Sequence, residues 1–158
     1  SGLLFNDTIN ATVGTVDAEN AGAGTGYAAF RMANRNGRVG DAYPNNIRVG
    51  TVKARGGGRG IFCVSESGGA TIDRVDIANT GNNSVLLENC YDVVLAGVSG
   101  TISGGGEVRI AARTEFPPSS GIRLQNLSVS GTDITWSPCT GNNSISNVTR
   151  TNSTLTWC

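Results

Sequence analysis

Three residues of this 158-residue chain have types and spacing suited to acid/base chemistry: Glu88, Glu107 and Arg109. A carboxylate pair beside a guanidinium is a minimal set for proton transfer at a glycosidic bond. Counted along period-2 strands, Ser84 and Glu107 share a column beside Ile61. Cys63, Leu86 and Arg109 share the next column, and Ser65, Glu88 and Ala111 the third. On that register the three charged side chains converge on one outward sheet face, with Arg113 extending the set. A salt-bridged solvent face is the competing reading. Histidine is absent, which removes Ser-His-Asp triads and His-ligated metals from consideration.

The other charges fall in blocks. Residues 31–59 carry Arg31, Arg35, Arg38, Arg48, Lys53, Arg55 and Arg59 against Asp41 alone. Residues 60–92 carry Glu66, Asp73, Asp76, Glu88 and Asp92 against Arg74 alone. A planar guanidinium matches a carboxylate, so Arg55, Arg59 and Arg113 are candidates for gripping an acidic polysaccharide. Ion pairing between neighbouring layers is the alternative. The formal net charge is zero, which gives no electrostatic pointer to nucleic acid or a membrane surface.

Four cysteines suggest two disulfides and an oxidising compartment. Spacing favours Cys63–Cys90, one coil plus four residues, and Cys139–Cys158, close to one short coil. Glycosylation sequons start at Asn6, Asn10, Asn82, Asn126, Asn142, Asn147 and Asn152. About three would arise by chance at this composition, so the excess points to an extracellular, secreted glycoprotein using several of the sites. An Asn-rich turn system that never meets a glycosyltransferase is the alternative. No apolar run approaches the ~20 residues that span a bilayer.

These groups must be positioned by strands. Val and Ile are abundant while Leu is scarce, and Gly, Asn, Ser and Thr exceed a third of the chain, which excludes a helical bundle. A short apolar signature recurs at Val13–Val16, Val49–Val52, Ile72–Val75, Leu95–Val98, Leu124–Leu127 and Ile145–Val148. The steps between first members are 36, 23, 23, 29 and 21 residues. Thirteen residues after Val49, Ile72 and Leu95 come Phe62, Val85 and Val108, expected to be inward neighbours on successive strands. In the later units Ile134 and Leu155 fall in register, and Trp136 and Trp157 should stack. Gly/Asn corners separate the two strands of each unit, as at Gly56–Gly58, Gly81–Asn83 and Gly104–Gly106. Such a unit cannot bury its apolar face alone, but stacked units bury a continuous core. The expectation is an all-β, parallel β-helix of about six coils, right-handed by the crossover preference for parallel strands. An antiparallel sandwich gives no reason for same-column matches.

Coils reading I-x-x-V-x-I, Asn/Gly corners and a following Gly60-Ile-Phe62 or Ser84-Val-Leu-Leu87 strand resemble the pectate-lyase-like right-handed parallel β-helix superfamily. The stretches Ile47–Phe62 and Ile72–Leu87 fit it best. The resemblance implies a carbohydrate-active protein. The galacturonan hydrolases of that superfamily use N-T-D, an Asp pair, G-H-G and R-I-K. Here there is no His and no Asp pair, and Arg109-Ile110-Ala111 matches the last motif only in part. Its lyases use clustered acids for calcium and an Arg or Lys base. By that resemblance Asp73, Asp76 and Glu88 would hold calcium if the protein is a lyase; otherwise no cofactor is implied.

Residues 1–158 are expected to form one β-helix domain. Ser1–Asn6 reads as direct entry into a strand. That start suggests the C-terminal piece of a longer β-helix, a first coil that docks on its own copy or a partner chain, or a start left by cloning. The functional expectation is a secreted protein acting on a cell-wall or acidic polysaccharide as lyase or hydrolase. The alternative is a non-catalytic, glycan-binding or self-assembling solenoid.

Overall fold

The computed structural model describes every residue except Ala23, Thr25, Pro138, Thr140 and Cys158. Its described residues form no helix. Eleven strands run in chain order: β1 (Leu3–Asn6), β2 (Ala11–Glu19), β3 (Phe30–Ala33), β4 (Ile47–Arg55), β5 (Arg59–Ala78), β6 (Asn83–Ser103), β7 (Glu107–Ala111), β8 (Arg123–Ser130), β9 (Ile134–Trp136), β10 (Ser144–Thr151) and β11 (Leu155–Trp157). Every strand pair is parallel, and the chain winds into a β-solenoid of about six turns. One ladder runs β1-β3-β5-β6-β7-β9-β11, and a second runs β2-β4-β5-β6-β8-β10. The long strands β5 and β6 bend through both.

The repeat read from spacing is the core. Val13, Val49, Ile72, Leu95, Leu124 and Ile145 are consecutive ladder partners. Alternation sends these β-branched and Leu side chains inward, where each burial contributes roughly 1.5–3 kcal/mol. Trp136 and Trp157 pair in register and stack at 4.6 Å. Cys63 and Cys90 are bridged and fully buried among these columns. A shift in register between Val64 and Ser67 brings Cys90 opposite Ser67 and places the two cysteines 6.3 Å apart at Cα. The pairing of Cys139 with Cys158 lies outside the described residues.

Two inward assignments are corrected. Phe62 pairs with Leu86, not Val85, while Ile61 and Cys63 take the inward places, so Phe62 rather than Cys63 shares the outward column of Leu86 and Arg109. The Gly56–Gly58 corner is one residue shorter than Asn79–Asn82, so the offset from Val49 is twelve rather than thirteen. A one-residue slip turns a strand side chain to the other face. Phe62 therefore sits outside the core, in a second apolar cluster with Ala28, Leu86 and Ala111, under the guanidinium groups of Arg31 and Arg59. Val98 is also turned out, 51% exposed, because β6 bulges between Leu95 and Gly100. Gly100 takes the inward position, where a Cβ would lie 2.6 Å from Leu127 Cδ2.

Candidate functional site

The residues singled out from the sequence do not form one site. Arg109 and Glu107 lie on the outward face of β7 with 3.8 Å between their charged atoms. Thr135 donates to Glu107 Oε2 at 3.1 Å. Glu88 stands on the same outward face of the neighbouring strand β6, two positions along from the partner of Arg109. It pairs with Val64 and Ala111, while Glu107 pairs with Asn83. Four residues, about 13 Å of strand, separate Glu107 from the partner of Glu88. Ser84 does not share the Glu107 column; it is buried and donates to Gly106 O at 2.6 Å. Between β6 and β7 the Leu86–Arg109 and Glu88–Ala111 columns stand as counted, and only the Ser84–Glu107 column shifts; Glu88 and Glu107 are kept apart by their distance along the row, not by a slip in it.

The candidate grip residues are engaged with the protein. Arg55 holds Asp76 with two 2.9 Å hydrogen bonds, and Arg48 reaches Asp73 at 3.4 Å. The basic and acidic layers thus satisfy each other along the second ladder. Arg59 lies over Phe62 and donates to Asn83 Oδ1 at 3.0 Å; burial pushes its guanidinium below the ordinary value. Arg113 pairs with Glu115 at 2.6 Å. Asp73 and Asp76 face outward on the second ladder, whereas Glu88 stands on the first, so these three acids do not meet. Among the described residues no group of three or more acidic, Cys or His side chains is arranged to hold a metal ion.

A different constellation does converge. Two long loops leave the solenoid at the same corner, residues 34–46 between β3 and β4 and residues 112–122 between β7 and β8. Coils with short corners, built from β5 and β6, lie between them. The result is a cleft of about 430 Å³. Arg38, Asp41 and Tyr43 form one wall, Pro117, Pro118 and Ser120 the other, and Glu66, Tyr91 and Asp92 the floor. Loops projecting from one face of a repeat structure are where such folds place binding sites.

Both walls are tied to the floor through side chains. The Tyr43 hydroxyl donates to Glu66 O, and the Tyr91 hydroxyl donates to Pro117 O at 2.8 Å. Asn89, 1% exposed, fixes the second loop: its amide donates to Arg113 O and Pro117 O while its Oδ1 accepts from Arg113 N–H. The Tyr43 and Tyr91 rings meet at 5.0 Å with a 49° tilt. Burial first, then the Glu66 charge, pushes the Tyr91 hydroxyl up to about 12. Burial also raises Tyr43, with Arg38 opposing. Both phenols are therefore neutral donors at ordinary pH.

Glu66 and Asp92 occupy left-handed backbone positions, with φ of 58° and 54°. Asn34, Arg35, Ser65, Asn79, Asn89 and other non-glycine residues share this conformation, so it belongs to the turns of the coil rather than to the cleft alone. Arg38 is paired with Asp41 at 3.0 Å, and Glu66 is 3.8 Å from Arg35. Asp92 makes no ion pair among the described residues.

Sequence reasoning missed Tyr43, Glu66, Tyr91 and Asp92. The available signal was length: the steps of 36 and 29 residues exceed the basic 23 where the two loops are inserted. A larger hollow, about 530 Å³, lies on the outer face of the second ladder. It is an open groove lined by hydroxyls, Arg74 and Asp76, with no aromatic side chain.

The chain matches no family model, no curated protein and no solved structure. What fold and site define together is an all-β parallel solenoid carrying a loop-framed, tyrosine-floored acidic cleft on one corner. The buried disulfide is compatible with an extracellular protein, and no helix among the described residues is long and apolar enough to cross a membrane.

Proposed function

We propose that this is an extracellular, carbohydrate-active β-solenoid that binds a polysaccharide segment in the cleft between residues 34–46 and 112–122. One observation carries the reading: the two loops frame the half-buried Tyr43 ring, backed by the buried Tyr91, beside two carboxylates. Aromatic rings offer a flat apolar surface to the C–H face of a sugar, and a few fixed polar groups then set its orientation. Glu66 and Asp92 are the groups able to exchange protons with a bound glycoside.

The test is calorimetric titration with defined oligosaccharides, with Tyr43→Ala as the comparison. Saccharide binding that weakens at least tenfold in a folded Tyr43→Ala variant supports the reading; a native protein that binds no saccharide overturns it. Release of reducing ends assigns hydrolysis, and new ultraviolet absorbance from unsaturated ends assigns elimination. A non-catalytic, glycan-binding solenoid is the second reading, favoured by the separation of Glu88 from Glu107. Binding without either product selects it.

A further inference from the structure

The cleft is not electrostatically even. Its lining holds three carboxylates, Asp41, Glu66 and Asp92, against one guanidinium, Arg38. Asp41 is fully exposed and spends its charge on Arg38 at the mouth. That leaves Glu66 and Asp92 on the floor beside Tyr91. Arg35 approaches Glu66 only at 3.8 Å and is itself largely exposed, so it screens rather than neutralises. Arg123 lines the adjoining hollow beyond Asp92 and donates to Ser144 Oγ rather than to Asp92. The Tyr91 phenol is raised first by its burial, and Glu66 then raises it more than Arg38 lowers it. A polyuronate brought onto this floor would set carboxylate against carboxylate. A cation there would gain two carboxylates and the half-buried ring of Tyr43, behind which Tyr91 is buried.

We propose that the cleft selects a saccharide bearing free ammonium groups, a polymer of deacetylated amino sugar, and rejects polyuronates. This rests on the reading of the cleft as a saccharide site and names its ligand class. The ammonium sits at the Tyr91 end, between Glu66 and Asp92, and the Arg38–Asp41 pair closes the mouth. The acidic polysaccharide suggested by the basic block of residues 31–59 has no seat here, because Arg48 and Arg55 are engaged with Asp73 and Asp76 on another face.

The experiment compares three oligosaccharides of equal length by calorimetry: glucosamine, N-acetylglucosamine and galacturonate. Asp92→Asn is the informative variant. It removes one charge with almost no change in shape, and Asn tolerates the left-handed conformation that Asp92 adopts. The glucosamine oligomer should bind the native protein at least about tenfold more tightly than the acetylated one, and Asp92→Asn should remove most of that margin, as expected for loss of a charge-assisted contact. The galacturonate oligomer should not bind. Equal or tighter binding of the acetylated or galacturonate oligomer would overturn the ammonium assignment while leaving a saccharide cleft in place. An unchanged glucosamine affinity in Asp92→Asn would overturn it equally. Failure of all three to bind would take the saccharide reading down with it.

Discussion

At the scale of single residues, what a side chain already bonds to limits what else it can do. Asn126 begins a sequon, but its amide nitrogen donates both hydrogens, to Ala96 O and Gly97 O at 3.1 Å each. Its Oδ1 accepts from Asn147 at 2.9 Å, so two sequons are built into one amide ladder. A glycan is attached at Nδ2 and removes one of those hydrogens. Protein made in a glycosylating host should therefore be unmodified at Asn126, while exposed Asn10, Asn82, Asn142 and Asn152 remain available. Peptide mapping by mass spectrometry reads this directly, and full occupancy at Asn126 would contradict it. Tyr91 gives a second residue-level test. Its hydroxyl is raised to about 12 in the native state, against about 10 in an unfolded chain. The native state thus holds that proton more tightly. The stabilisation is complete below about pH 10 and is lost as pH rises through the native value. Across that interval the native protein should lose up to roughly 3 kcal/mol that Tyr91→Phe does not lose, measured by urea unfolding at each pH. Parallel pH profiles would show that the hydroxyl is not linked to folding. Arg109 is exposed and weakly paired, so Arg109→Ala should shift stability by less than about 0.5 kcal/mol. If an activity is found, its rate in the same variant tests the chemical role expected of Arg109.

At the scale of elements, the strands were legible and the loops were not. Columns such as Val49, Ile72 and Leu95 could be read because an inward side chain must recur once per coil. The Trp136–Trp157 stack and the Cys63–Cys90 bridge followed from the same count. Counting fails wherever a corner or bulge changes length without an apolar marker. A three-residue corner slipped Phe62 by one place, and the bulge at Val98 emptied an expected core position. The cleft was legible only as excess length, for a related reason: residues 34–46 and 112–122 have no periodicity, and their contacts are made by Asn and Tyr side chains across coils. Corner geometry can itself be tested. An added Cβ at Gly68 would meet the Tyr91 carbonyl oxygen of the next coil at 1.8 Å, and one at Gly37 would meet Gly68 O at 1.9 Å. These obstacles are backbone and cannot rotate away, and the Tyr91 carbonyl belongs to the cleft floor. Gly68→Ala should cost more than about 3 kcal/mol in thermal or urea unfolding. Gly81→Ala is the control, because its Cβ would meet only Gly57 O at 3.5 Å; it should stay within about 0.5 kcal/mol. Equal effects at the two glycines would mean that coil contact at the corner does not limit stability.

At the scale of the whole molecule, a parallel stack has two unlike ends. β1 and β2 form one, and β10 and β11 the other, each with one side that no described strand covers. Leu3 and Phe5 are only half-buried on the first, and Phe5 meets Phe30 edge-on at 5.6 Å. On the second, Leu155 and Trp157 are 37% and 44% exposed. Unpaired N–H and C=O groups on an edge strand are a template for another chain. Because every strand points the same way, the first coil of one copy presents to the last coil of another the same ladder that joins coils within the chain. Association of residues 1–158 should then be head-to-tail and open-ended rather than a closed dimer. Exposed Asn6 and Asn10 lie at the first end and exposed Asn142 and Asn152 at the second, so glycans would obstruct docking at either. Unglycosylated protein should show an average mass by light scattering that rises with concentration. Leu4 is 47% exposed on the edge strand, away from the core, so Leu4→Lys should leave folding intact while placing a charge on the edge that opposes pairing. That variant should hold the monomer mass across the same concentration series. A native chain that stays monomeric at high concentration, or a Leu4→Lys chain that associates as readily, would show that the coil ends are not the contact.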